Sequence, residues 1–235
     1  MAGIFYGIGV GPGDPKLLTL KAVETIQSVD VLICPEGKKD KGSVALEIVK
    51  DYVNQDIELL NLTFPMVYKE GKLKEGWERN TKIIYEKLME EKNVAFITLG
   101  DPMLYSTYLY ILPEIQKKGI QVETIPGIPA FCAVASSSNT PLAMGEETLT
   151  IYPLRKNGDY VDKLIDSFDN LVIMKPSGQA QQLAETLEKR GLEENFVLVS
   201  KCGTDEEEIV EDIHRVKKGI PYLSTMIIKG RKLHE

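Results

Sequence analysis

Short apolar runs of strand length alternate with amphipathic stretches along nearly the whole chain, and this alternation restricts the fold more than any other feature. Runs at 4–10, 29–34, 57–61, 94–99 and 121–125 have strand character. The segments between them, 16–27, 43–53, 77–91 and 106–118, carry apolar residues at helical spacing; Leu17, Leu20, Val23 and Ile26 share one helix face. Strand, helix and strand in succession predict parallel strands joined by right-handed crossovers. Past 141–147 the texture changes. Strand runs follow at 149–154, 171–175, 196–201 and 222–229, with helices expected over 159–168, 179–189 and 206–216. The expected architecture is α/β in two domains: 1–143 with a parallel-rich sheet, and a smaller 144–235 with a mixed sheet.

The chain has 235 residues and a net charge of -7, which argues against a general nucleic-acid binder. Cys34, Cys132 and Cys202 are scattered, and His214 and His234 lie far from them, so neither a disulfide framework nor a protein-bound metal is expected. The apolar start lacks a basic lead and a cleavage pattern, and no run has membrane-spanning length. A cytoplasmic protein is expected.

The first strand runs into Gly7-Ile8-Gly9-Val10-Gly11-Pro12-Gly13-Asp14-Pro15. A dinucleotide fingerprint needs a third glycine three residues after the second. Counting from either glycine pair, that place holds Pro12 or Asp14. Pro12 also lacks the N–H that a phosphate cradle would use. Two further loops of this kind follow strands, Gly100-Asp101-Pro102 and Pro126-Gly127-Ile128-Pro129. All three belong at the carboxyl edge of a parallel sheet, where ligands bind and approach the backbone closely. Asp14 before Pro15 reads first as a helix cap. Asp101 reads equally as a cap or as a carboxylate facing a ligand hydroxyl or amine. Such a carboxylate suits a cation such as a sulfonium better than a triphosphate.

Together, "VGPGDPKLLTLKA", "LGDPMLYST" and "IPGIPAF", in this order and spacing, resemble the tetrapyrrole methylases, which use S-adenosylmethionine as methyl donor. The likeness extends from residue 4 to about 229. It implies the two-domain class III methyltransferase fold, with the cofactor in the cleft between the domains, and a homodimer. "FPM" at 64–66, the segment around Trp77, and "LGDPMLYSTYLYIL" at 99–112 look like the branch that methylates C-20 of precorrin-2 or its cobalt complex in cobalamin biosynthesis. Carried over position by position, the resemblance implies cofactor contacts from Pro12, Leu99, Gly100, Asp101, Leu104, Pro129, Ala130, Met174 and Gly203. Many relatives have a hydroxyl residue in place of Pro129, and an Asn in place of Cys202.

A tetrapyrrole substrate carries many carboxylates, so basic and hydroxyl residues should line its binding surface. Ser106, Thr107, Arg155 and Lys156 are candidates, together with Lys38, Lys39 and Lys41, for which simple solvation is the plainer reading. A guanidinium fork favours Arg155 among them. No Ser–His–Asp or Cys–His set stands out, and methyl transfer from a sulfonium needs none. The sequence identifies no base for the C-20 proton. Competing readings are another methylase of this fold (a C-11 corrin methylase, a uroporphyrinogen methylase or diphthine synthase) and a non-catalytic ligand sensor.

Overall fold

A computed structural model describes residues 1–37, 42–64, 70–154 and 160–230, the side chains of 70–74 excepted. The chain forms two compact units, Met1–Pro129 and Ala130–Glu235.

The first unit contains β1 (Phe5–Gly9), α1 (Leu20–Ser28), β2 (Val31–Glu36), α2 (Val44–Val49), β3 (Glu58–Thr63), α3 (Glu70–Met89), β4 (Val94–Thr98), α4 (Tyr108–Gln116) and β5 (Val122–Ile125). Its strands lie in the order β3-β2-β4-β1-β5, all parallel, as the alternation predicts. The period-two pattern of the strands divides the core between the two faces of the sheet. Val31, Ile33 and Phe96 pack with Ile84 and Leu88 of α3 and with Tyr108, Ile111 and Ile115 of α4. Leu32, Cys34, Ala95 and Ile97 pack with Ala22 and Ile26 of α1 and with Ala45, Ile48 and Val49 of α2. Burying a side chain of this size contributes about 1.5–3 kcal/mol, so helices on both faces hold the strand ends in register.

The second unit contains α5 (Ala130–Ser137), β6 (Leu149–Pro153), α6 (Tyr160–Ser167), β7 (Asn170–Met174), α7 (Ala180–Lys189), β8 (Phe196–Ser200), β9 (Glu208–Val210), α8 (Ile213–Lys217) and β10 (Ser224–Lys229). The sheet order is β6-β7-β10-β8-β9. It is mixed: β6 and β7 run parallel, while β10 is antiparallel to both β7 and β8. Leu171, Ile173, Phe196, Leu198, Met226 and Ile228 face Val161, Leu164, Leu183, Leu187 and Val216 of α6, α7 and α8. The opposite face meets α5 along β10.

The helix expected over 206–216 is instead a short edge strand followed by a short helix. Ile209 and Val210 alternate outward and inward against β8, where Leu198 pairs with Val210. Asp212 then starts α8, its carboxylate accepting the His214 N–H at 2.8 Å.

Candidate active site

Because β4, β1 and β5 are adjacent and parallel, the three glycine-rich loops leave the sheet side by side at its carboxyl edge. They are fastened to one another. Gly100 donates its N–H to the Gly11 carbonyl at 2.8 Å, and Gly11 returns a bond to the Gly100 carbonyl at 3.3 Å. Both glycines have left-handed backbone, with φ 75° and 67°. A Cβ on Gly9 would stand 2.5 Å from the Gly127 nitrogen and 2.6 Å from the Gly100 oxygen. These glycines therefore permit close loop-to-loop packing.

Asp101 joins the second loop to the third. Its Oδ1 accepts the Met103 N–H at 2.8 Å, and its Oδ2 accepts the Gly127 N–H at 3.1 Å. Each carboxylate oxygen keeps lone-pair capacity for a ligand donor. Asp14 has the cap role that Asp-Pro predicts: its Oδ1 accepts the Lys16 N–H at 2.8 Å, at the start of a 3-10 turn over Pro15–Leu17. Pro12, Leu99 and Leu104 are half-buried on or beside the same loops, and Pro129 ends the third. This edge presents apolar side chains, loop backbone and the Asp101 carboxylate.

Ser106 is buried, donating to Thr98 Oγ1 at 3.1 Å and accepting the Tyr108 N–H at 3.1 Å. Its hydroxyl is committed to supporting the loop. Thr107 is half-buried at the start of α4 and makes no side-chain cap bond. Phe64 lies in the core, edge-on to Phe96 at 5.6 Å between ring centroids, and Trp77 meets Tyr110 at 3.9 Å. Pro65, Met66, Lys38, Lys39, Lys41, Arg155 and Lys156 lie outside the described residues.

In the second unit, Ala130 opens α5 and Met174 ends β7, half-buried, its carbonyl accepting the Leu154 N–H at 2.8 Å. Gly203 has φ 78° in the loop after β8 and donates its N–H to Glu207 Oε2 at 2.6 Å. Cys202 beside it is buried, and burial pushes its thiol up to about 11. Sequence reasoning passed over Tyr108, whose ring fills the space a Cβ on Gly7 would need and whose hydroxyl pairs with Thr124 at 2.8 Å. The missing side chain in the middle of β1 was the available signal.

Residues 5–214 match the sequence profile of the Tetrapyrrole (Corrin/Porphyrin) Methylases. The chain belongs to that family. A Methanocaldococcus jannaschii protein named "Probable cobalt-precorrin-2 C(20)-methyltransferase" is 40% identical over 233 residues, covering 97% of this chain and 96% of the relative. The cobalt-precorrin-2 C(20)-methyltransferase of Salmonella typhimurium is 31% identical, with 97% of each chain covered. Among solved structures, a cobalt precorrin-4 methyltransferase superposes with a TM-score of 0.77 at 18% identity, over 96% of this chain and 94% of that one. A uroporphyrin-III C-methyl transferase from Thermus thermophilus, complexed with S-adenyl homocysteine, gives 0.71 at 21% identity, over 97% of each. These structural likenesses establish the tetrapyrrole methylase fold for both units.

Proposed function

We propose that this protein is an S-adenosylmethionine-dependent C-methyltransferase that methylates C-20 of precorrin-2 or of its cobalt complex in cobalamin biosynthesis. The observation that carries this reading is the 40% identity, running through both units, to a relative named for that reaction. The intact loops after β1, β4 and β5 support catalysis over passive ligand sensing, because a fastened backbone edge can hold a methyl donor in one orientation.

The cofactor, when bound, supplies an electrophilic methyl group on a sulfonium centre. The first unit's edge fits such a molecule: Asp101 offers acceptor capacity to hydroxyl or ammonium donors, and Pro12, Leu99 and Leu104 offer half-buried apolar surface for the adenosyl and thioether parts. Pro129, Ala130, Met174 and the Gly203 backbone complete the proposed set. Of the Gly203 backbone groups, the N–H already serves Glu207, which leaves the carbonyl for the ligand. Holding reactants in line supplies about 7 kcal/mol in favourable cases, so orientation by these residues is the main contribution expected of the protein.

The test is anaerobic incubation with isotopically labelled S-adenosylmethionine and, separately, precorrin-2 and its cobalt complex. Label transferred to either ring supports the reading. Cofactor binding without transfer to either ring overturns it in favour of a sensor.

A further inference from the structure

Two lysines occupy matching strained positions on the second sheet. Lys175 follows β7 with φ 58° and ψ 43°, and Lys201 follows β8 with φ 49°. Both are left-handed conformations that an L side chain adopts at a cost. At Lys175 the strain is compounded by Pro176, because a following proline normally drives its predecessor toward extended backbone. The placement is also shared. Strands β7 and β8 are both antiparallel to the intervening β10, so their carboxyl ends lie at one edge; Met174 and Val199 both pair with Thr225, and Ser200 pairs with Ser224.

The two ammonium groups differ. Lys201 is half-buried and ion-paired with Glu206. Lys175 is exposed, and among the described residues its ammonium has no carboxylate partner. Lys21, Lys50, Lys87, Lys92, Lys117 and Lys217 have acidic partners, while Lys16, Lys163, Lys189 and Lys218 show none among the described residues; Lys175 differs from these in standing on a left-handed turn. Strained backbone positions cluster at ligand clamps and active sites, and Lys175 is one of five non-glycine residues with positive φ among the described residues. The cofactor carries one carboxylate beside its sulfonium and ammonium, whereas a polycarboxylate ring offers many such anions around its rim, and cofactor affinity separates the two.

We propose that Lys175 binds a peripheral carboxylate of the tetrapyrrole substrate, the left-handed turn at the end of β7 aiming its ammonium for that contact. This rests on the functional reading above. Steady-state transfer at saturating cofactor should show KM for the ring raised about tenfold or more in Lys175→Gln, the loss typical of a charged hydrogen bond, with kcat nearly unchanged. Lys175→Arg should recover most of the affinity. Lys175→Gly should melt higher than wild type, because glycine relieves the strain, yet share the raised KM. Cofactor affinity, measured by calorimetry, should be unchanged in all three variants. An unaltered ring KM in Lys175→Gln, or a loss that falls on cofactor affinity instead, overturns the proposal. If wild-type enzyme transfers no methyl group, the functional reading fails by itself. Titration of precorrin-2 absorbance then reads the lysine separately, with weaker binding by Lys175→Gln supporting it and equal binding refuting it.

Discussion

The Oδ2 atom of Asp101 accepts the backbone N–H of Gly127 at 3.1 Å, fastening the loop after β4 to the loop after β5. The other carboxylate oxygen holds the Met103 N–H. One side chain thus fixes its own loop and its neighbour, and whatever binds at this edge meets a surface that is already ordered.

Asp101→Asn replaces one of the two acceptor oxygens by an NH2 group that must face an N–H. The variant should lose about 1–3 kcal/mol in urea unfolding. Its cofactor affinity, read by calorimetry, should fall as well. A variant as stable as wild type would show that the carboxylate does not fasten the loops.

Gly127→Ala places a Cβ 2.6 Å from the Gly9 carbonyl carbon, where only backbone could yield. The substitution should destabilise by about 2 kcal/mol or more, judged from overpacking elsewhere. Gly178→Ala, with open space around the new atom, should change stability by less than about 0.5 kcal/mol. Equal effects at the two sites would contradict the packing account.

Tyr108→Phe removes the bond to Thr124 but keeps the ring that covers Gly7. A loss of about 1 kcal/mol is expected, with cofactor affinity retained. Gly7→Ala should be far more harmful, and less so when combined with Tyr108→Leu. Strictly additive losses in that double-mutant cycle would separate the two residues energetically.

Thiol reactivity should follow burial. Desolvation pushes Cys34 up to about 12 and Cys202 up to about 11, so thiolate is scarce at both near neutral pH. Cys132 is only half-buried. Iodoacetamide at pH 8 should label Cys132 first, as read by mass spectrometry of the native protein; prior labelling of Cys34 would count against the described core.

The Asp169 carboxylate is held below its usual value, first by the backbone N–H of Thr148 and then by the Thr148 hydroxyl, both at 2.8 Å. A depressed folded value means that this stabilisation is present above the ordinary carboxylate range and is lost as pH falls from that range through the lower folded value. The Tm advantage of wild type over Asp169→Asn should therefore be clear at pH 6 and shrink toward pH 3. A gap that stays constant with pH would assign the effect to packing.

Much of the first sheet is legible in the sequence, because strands buried on both faces are continuous apolar runs and the helices between them keep an apolar stripe. Asp14 is legible as a cap because Asp-Pro is a local signal. The β9–α8 segment is misread because a three-residue edge strand has too few alternations to separate it from a helical pattern. Gly9 and Gly127 lie far apart in the chain, so their mutual contact has no local signature. The hydroxyl of Ser106 is committed to Thr98 at the end of β4, a pairing that matches no turn or cap pattern and so has no signature in the sequence.

The most direct measurement is the NMR position of a 13C-labelled methyl group in the tetrapyrrole product. A single labelled methyl on C-20 is expected. Label on any other ring carbon would keep the family and contradict the assigned reaction.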